Sequence, residues 1–222
     1  MPNRKIKFVE GEFYHIYNRG NSKQKIFLDK LDYEHFIKLL YCCNSDKNFA
    51  FREDIIKKGI DAFDFEREES LVDIGAWVLM PNHFHIYISP KSDFGLTEFM
   101  RKLSTAYVKY FNTKYDRTGT LFEGKFKATY INKDNQAKYL FSYIHLNPIK
   151  LIDHDWKEKG IKNIKKSISF LESYKYSSYI DFININERKE SKILNIKNFP
   201  KYFSNVTDFN KEILNWLECK EI

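Results

Sequence analysis

The sequence contains few cysteines and no long apolar segment. Its 222 residues include three cysteines, Cys42, Cys43 and Cys219. Because two of them are adjacent and their number is odd, they do not indicate a framework of disulfide bonds. No run approaches the roughly 20 apolar residues that a membrane span needs, and the first residues lack the apolar core of a signal peptide. We therefore expect a soluble, cytoplasmic protein.

Acidic residues are scarce in one part of the chain. Residues 91–150 contain 11 basic but only 5 acidic side chains, in a chain whose net charge is +7. A solvated basic surface is one explanation of this excess. The other is a surface that binds the phosphates of a nucleic acid, and the 17% of aromatic residues offer faces on which bases can stack. The composition therefore favours an anionic partner.

Apolar periodicity predicts seven secondary-structure elements in the first 150 residues. The first six have the order β-α-β-β-α-β, which is typical of the ferredoxin-like fold, and a third helix follows them. We therefore expect an α+β protein with a ferredoxin-like antiparallel sheet and helices packed on one face. Strands are predicted at 12–19, 70–80, 83–89 and 125–131, and helices at 29–43, 97–115 and 134–147.

The other segments are interpreted by their composition. Residues 46–69 are charged and irregular, which indicates an insertion, with a short helix around 52–58, in a domain that spans 1–150. Residues 151–222 are rich in Lys, Ile, Asn and Ser. We interpret them as a C-terminal extension that is partly helical, with its last helix at 205–220.

Two histidines flank one apolar residue in the third predicted strand. His83 and His85 point to the same face, because side chains alternate along a strand. Two neutral imidazoles at this spacing can hold one divalent metal ion, and a pair of structural histidines is the equally weighted alternative. Asn147, at the end of the last helix, can add an amide oxygen. Such a mixed set of donors suits Mg²⁺ or Mn²⁺ better than a closed zinc site.

A tyrosine lies one helical turn before this asparagine. Tyr143 and Asn147 are four residues apart and share a helix face. A phenol can attack a phosphodiester and form a covalent phosphotyrosine. Spacing alone does not select Tyr143, because Tyr107 and Tyr110 also lie on a helix near basic residues, and ordinary packing is an alternative for all three. His15, alone in the first strand, is interpreted as structural.

Basic residues and glycines follow the histidine strand. The predicted helix at 97–115 has a basic side, and Gly119 and Gly124 in the next loop permit close approach to a phosphate backbone. We therefore predict that this region contacts DNA. The candidate residues are Arg101, Lys102, Lys109, Lys114, Arg117, Lys125 and Lys127.

Five segments together resemble the REP-associated tyrosine transposases, which belong to the HUH (His–hydrophobic–His) superfamily of single-tyrosine transposases. The combination of the second and fourth segments is specific, whereas a single HxH would not be. The segments are FYHIYNRGN at 13–21, WVLMPNHFHIYI at 77–88, RTGTLFEGKFKA at 117–128, YIHLNP at 143–148 and, more loosely, YKYSSY at 174–179.

This resemblance implies a role for each candidate site residue. It assigns a divalent metal to His83 and His85, with Asn147 as the third ligand, and makes Tyr143 the nucleophile. The implied enzyme cuts and rejoins single-stranded DNA beside hairpins through a 5′-phosphotyrosine, and requires no nucleotide cofactor. Two other functions stay open, a domesticated hairpin-binding protein without transposition activity and a metal-dependent phosphoesterase that uses water. Whether the protein is a monomer or a homodimer is also open.

Overall fold

The computed structural model describes residues 6–183, 188–200, 208–209, 211–213 and 215. Four strands form one antiparallel sheet in the order β2-β3-β1-β4. The predicted α+β class and antiparallel sheet are therefore confirmed. Most of the helix predicted at 205–220 lies outside the described residues. The strands are β1 (Phe13–Arg19), β2 (Val72–Met80), β3 (His83–Pro90) and β4 (Lys127–Ile131).

Six α-helices accompany the sheet in the described part of the chain. The first begins at a capping box in which Asp29 accepts from the amide of Asp32 and the Asp32 carboxylate accepts from the amide of Asp29. None of the helices among the described residues is both long enough and apolar enough to span a bilayer. The helices are α1 (Lys30–Cys42), α2 (Gly95–Lys114), α3 (Asp134–Leu146), α4 (Trp156–Lys159), α5 (Ile164–Ser173) and α6 (Tyr179–Ile183).

The sheet has a hydrophobic core on each face. Trp77 and Leu79 of β2 pack with α1 and α2, whereas Val78 and Met80 of the same strand pack with α3. Because every residue of β2 is buried, both of its faces need a covering layer. The prediction that the helices pack on one face is therefore wrong for α3, which lies opposite α1 and α2.

The C-terminal part of the chain packs along the outer edge of β2. The amide of Leu79 donates to the carbonyl of Tyr176, and the amide of Ser178 donates to the carbonyl of Trp77, both at 2.9 Å. Further along, the amide of Asn195 donates to a β2 carbonyl at 2.9 Å. These bonds satisfy backbone groups of an edge strand that would otherwise be free to pair with another chain.

The charged segment 46–69, predicted to be an insertion, contains little regular structure. The five residues Arg52–Ile56 form a short wide helical turn where the sequence predicts a helix at 52–58, and Ala62–Asp64 form a 3-10 turn. Phe63 and Phe65 are buried in the core shared with α1. The insertion is thus part of the packed structure on the α1 face, away from α3.

Candidate active site

His83 and His85 lie side by side on the face of β3 that α3 covers. A tight turn at Pro81 and Asn82 joins β2 to β3, so His83 is the first residue of its strand and pairs with Met80. The two imidazole rings are 5.0 Å apart and nearly perpendicular. His83 is half-buried and His85 is 7% exposed. The alternation of side chains along the strand, predicted from the sequence, therefore places both histidines on one face.

Each histidine has one ring nitrogen engaged by a neighbouring side chain. His83 Nδ1 lies 2.6 Å from Asn82 Oδ1, and because an amide oxygen only accepts, this nitrogen carries the proton. His85 Nδ1 lies 2.8 Å from His15 Nε2 on the adjacent strand β1. His85 Nε2 is buried and has no hydrogen-bond partner among the described residues. Because both Nδ1 atoms are engaged, the Nε2 atom of each ring is the candidate metal-binding atom.

The end of α3 brings Tyr143 and Asn147 to the same place. The helix ends at Leu146, and Asn147 begins a short 3-10 turn with proline as its second residue. The ring of Tyr143 stands edge-on to that of His85, with centroids 5.3 Å apart. The side chain of Asn147 influences the pKa of both Tyr143 and His83, and its Oδ1 atom is buried with no hydrogen-bond partner among the described residues.

These donors fit a divalent metal ion. Burial lowers the pKa of His83 to about 4 and that of His85 well below its ordinary value, so both rings are neutral and able to ligate at pH 7. Buried polar atoms without partners cost free energy, and His85 Nε2 and Asn147 Oδ1 are such atoms. The described residues contain no cluster of three or more His, Cys, Asp or Glu side chains arranged for a metal. The amide oxygen of Asn147 would therefore be the third ligand beside the two histidines.

Tyr143 lies in an environment with opposing electrostatic effects. Burial raises the pKa of its phenol, and the hydrogen bond with Asn147 lowers it. The ammonium group of Lys157 stands 3.8 Å from the centre of its ring. A cation over an aromatic face is favourable, and more so when partly shielded from water. Tyr143 is therefore held on three sides, by His85, Asn147 and Lys157.

Three of the four candidate residues line an open cleft of about 790 Å³. His83, His85 and Tyr143 lie on its wall, and five basic side chains surround them. Arg19 forms an ion pair with Glu123, and the remaining positive charge around the buried donors favours an anionic ligand. The basic lining residues are Arg19, Lys23, Lys25, Lys127 and Lys150.

Most residues predicted to contact DNA lie elsewhere. Of the seven, Lys127 lines the cleft. Lys125 is exposed just before β4, and Arg117 stacks on Phe111 of α2 at 5.4 Å. The four residues on α2 lie on the other side of the sheet from the histidines. They are Arg101, Lys102, Lys109 and Lys114.

Three of these four cations already have partners in the protein. Arg101 pairs with Glu98, Lys102 donates to three backbone carbonyls, and Lys114 binds Asp29 and Asp32. The structure does not bring them to the candidate site. Arg19, Lys23, Lys25 and Lys150, which it does bring there, were missed, because the prediction followed the basic residues that come after the histidine strand in the sequence.

A family model for IS200-like transposases matches residues 31–147, which is more than half of the chain. The chain belongs to the IS200-like transposase family. The matched region contains His83, His85, Tyr143 and Asn147, whereas His15 and Lys157 lie outside it. No curated protein sequence matches the chain significantly.

Two solved structures resemble the fold of this family member. A REP-associated tyrosine transposase bound to a REP hairpin is 14% identical, with a TM-score of 0.50 over 88% of this chain and 93% of that one. A protein described as a transposase from Deinococcus radiodurans R1 is 12% identical, with a TM-score of 0.35 over 63% and 92% of the two chains. The first likeness supports the fold, and the second is too weak to argue from.

Proposed function

We propose that this transposase cleaves and rejoins single-stranded DNA beside hairpins through a covalent 5′-phosphotyrosine on Tyr143. In this proposal a divalent cation, Mg²⁺ or Mn²⁺, is held by the Nε2 atoms of His83 and His85 and by Oδ1 of Asn147. When bound, the cation would act as a Lewis acid on the scissile phosphate. Two protein nitrogens and one oxygen leave coordination positions for phosphate oxygens.

One observation carries this proposal. Two buried atoms with metal-binding lone pairs, His85 Nε2 and Asn147 Oδ1, have no hydrogen-bond partner in the described structure and adjoin a tyrosine at the wall of a basic cleft. A purely structural histidine pair would have its buried nitrogens satisfied. Packing alone explains neither the unsatisfied atoms nor the surrounding positive charge.

The chain's own residues account for the strand-transfer step. The phenol oxygen of Tyr143 forms a bond to phosphorus, the P–O3′ bond breaks, and the phenolic proton is transferred to the departing 3′ oxygen. The product is a 5′-phosphotyrosine and a free 3′-hydroxyl, and attack by a 3′-hydroxyl reverses the step. The side chain of Asn147, which lowers the pKa of the phenol, helps to orient the nucleophile.

A hairpin substrate is supported by likeness and by charge. The solved REP-associated tyrosine transposase of similar fold is bound to a REP hairpin. In this chain, Arg19 ends β1, Lys23 and Lys25 follow in the next segment, and all three line the same cleft as Tyr143. We propose that these residues contact phosphates of a strand that leads from the stem to the active site.

The test is a single-turnover cleavage assay on single-stranded DNA that flanks the gene. Wild-type protein with Mn²⁺ should form an adduct that survives SDS, and mass spectrometry should map it to Tyr143. Tyr143→Phe keeps the ring and should abolish the adduct while DNA binding persists. Tyr107→Phe is the matched control, because the Tyr107 phenol is buried on the opposite face and donates to the carbonyl of Ile26.

Several results would contradict the proposal. An adduct that persists in Tyr143→Phe, or that maps to another tyrosine, would mean that the nucleophile is wrong. Full cleavage in excess EDTA would remove the metal from the mechanism. Binding to hairpin DNA with no adduct under any condition would instead favour a domesticated hairpin-binding protein.

A further inference from the structure

Lys157 is a partly buried cation beside the proposed nucleophile. It lies on α4, outside the region that the family model matches. Its ammonium stands over the ring of Tyr143 at 3.8 Å and near that of Trp156 at 5.8 Å. Among the described residues, no carboxylate forms an ion pair with it, and Glu158, its exposed neighbour in sequence, is the only acidic group that acts on its charge.

A second lysine approaches the same place. Lys150 lines the cleft together with Tyr143, and its charge, after burial, is the next cause that lowers the pKa of Lys157. The two like charges repel each other, and a partly buried ammonium without an anion loses solvation. An anion between them would relieve both costs.

We propose that Lys157 and Lys150 form a phosphate-binding subsite beside Tyr143. The subsite rests on the proposed function, and its ligand is the scissile phosphodiester. Lys157 binds a non-bridging oxygen before attack and keeps that contact in the phosphotyrosine. The C-terminal extension thereby supplies a group to the active site that the histidine strand and α3 do not contain.

The geometry is consistent with a contact at the phosphate. Phosphorus bonded to the phenol oxygen lies just beyond the edge of the ring, within reach of a lysine side chain that already stands over the ring face. A phosphodiester carries one negative charge, and the five-coordinate transition state carries about one more. A fixed cation at that position therefore stabilises the transition state more than the ground state.

A packing role for Lys157 predicts a different pattern of variants. The lysine stem and the contact with the Tyr143 ring could simply hold the ring in place. Methionine keeps much of the length and apolar surface of lysine but has no charge. Arginine keeps the charge and also stacks on aromatic rings. A packing role is therefore retained in Lys157→Met, whereas a phosphate contact is retained only in Lys157→Arg.

The experiment measures the single-turnover rate of adduct formation on the gene-flanking single-stranded DNA. Lys157→Met should slow the rate about 100-fold, the magnitude typical of losing one transition-state contact. Lys157→Arg should stay within about 10-fold of wild type. Lys159→Met is the matched control on the same helix, because Lys159 is exposed and pairs with Asp155 at 2.8 Å. It should react at the wild-type rate.

A binding measurement tests whether Lys157 contacts the scissile phosphate. Once the wild-type adduct has mapped the cleaved position, a neutral methylphosphonate replaces that single phosphate. In a Tyr143→Phe background, Lys157→Met should weaken binding of the ordinary oligonucleotide several-fold. It should have no effect on the methylphosphonate, because the charge that Lys157 contacts is then absent.

The outcomes separate this inference from the proposed function. If wild-type protein reacts at Tyr143 but Lys157→Met is as fast, or if its defect in binding is the same on the methylphosphonate, the subsite is wrong and the proposed function stands. If Lys157→Met and Lys157→Arg are equally slow while Lys159→Met is normal, the charge is not what matters. If wild-type protein forms no adduct at Tyr143, both fail together.

Discussion

At the residue scale, His15 contacts His85, which its isolated position in the sequence did not indicate. It lies on β1, next to β3, and its Nε2 atom is 2.8 Å from Nδ1 of His85. If His85 ligates through Nε2, its Nδ1 carries the proton and His15 accepts it. Partners of this kind fix the tautomer and orientation of metal-binding histidines. His15 is then a positioning residue that need not touch the metal.

We expect His15→Phe to weaken Mn²⁺ binding about 10- to 100-fold, the range found when such a partner is removed. His15→Gln, whose amide oxygen can accept, should recover much of the loss. Mn²⁺ titration followed by electron paramagnetic resonance, without DNA, measures this directly. Unchanged affinity in His15→Phe, alongside a clear loss in His83→Ala, would show that His15 does not support the metal site.

Asn147→Ala should be milder than Tyr143→Phe. Two histidines still hold a cation loosely after the amide is lost, so raising the Mn²⁺ concentration should restore part of the cleavage. The nucleophile itself has no such substitute. Adduct yield as a function of Mn²⁺ concentration tests this difference, and an Asn147→Ala variant that no concentration of Mn²⁺ rescues would count against the amide as a ligand.

At the element scale, Lys114 stabilises the contact between α2 and α1. Its ammonium lies 2.7 Å from the carboxylate of Asp32 and 2.8 Å from that of Asp29. Burial pushes the pKa of Asp32 upward, but hydrogen bonds from Lys114, the amide of Leu28 and Tyr115 lower it overall. The basic side of α2, from which a DNA contact was predicted, therefore contains at least one residue whose charge stabilises the fold.

Lys114→Met should lower the free energy of unfolding by about 2 kcal/mol at pH 7, because it leaves a buried carboxylate with fewer partners. The pKa of Asp32 is depressed in the folded state, so its contribution is present at neutral pH and is lost as the pH falls through that value. The difference from wild type should shrink at pH 3. Urea denaturation at pH 7 and at pH 3 measures the free energies of unfolding, and exposed Lys109→Met is the neutral control. Equal stability of Lys114→Met and Lys109→Met would contradict this assignment.

At the scale of the whole molecule, the sheet separates two basic surfaces. One lines the cleft on the α3 side, with Lys25 and Lys127 near the histidines. The other lies on α2, with Lys109 exposed on the opposite side. A DNA strand that reaches Tyr143 passes the first surface, so the two surfaces should differ in their contribution to binding.

Lys25→Gln and Lys127→Gln should each weaken single-stranded DNA binding, and each should reduce the slope of log K against log salt by about 0.7, the value for one lost phosphate contact. Lys109→Gln should leave both quantities unchanged. Fluorescence anisotropy with the Tyr143→Phe protein at several salt concentrations measures the slopes. An equal loss in Lys109→Gln would place DNA on the α2 side after all.

What the sequence determined by itself is the local geometry. A period of two residues places His83 and His85 on one face of a strand, and a spacing of four places Tyr143 and Asn147 on one face of a helix. These relations follow from backbone dihedrals, which neighbouring residues share. The tertiary structure decided which separate segments meet: His15 beside His85, Lys157 over Tyr143, and α3 opposite α2. These contacts depend on strand order and on burying both faces of the sheet, and no local spacing encodes either one.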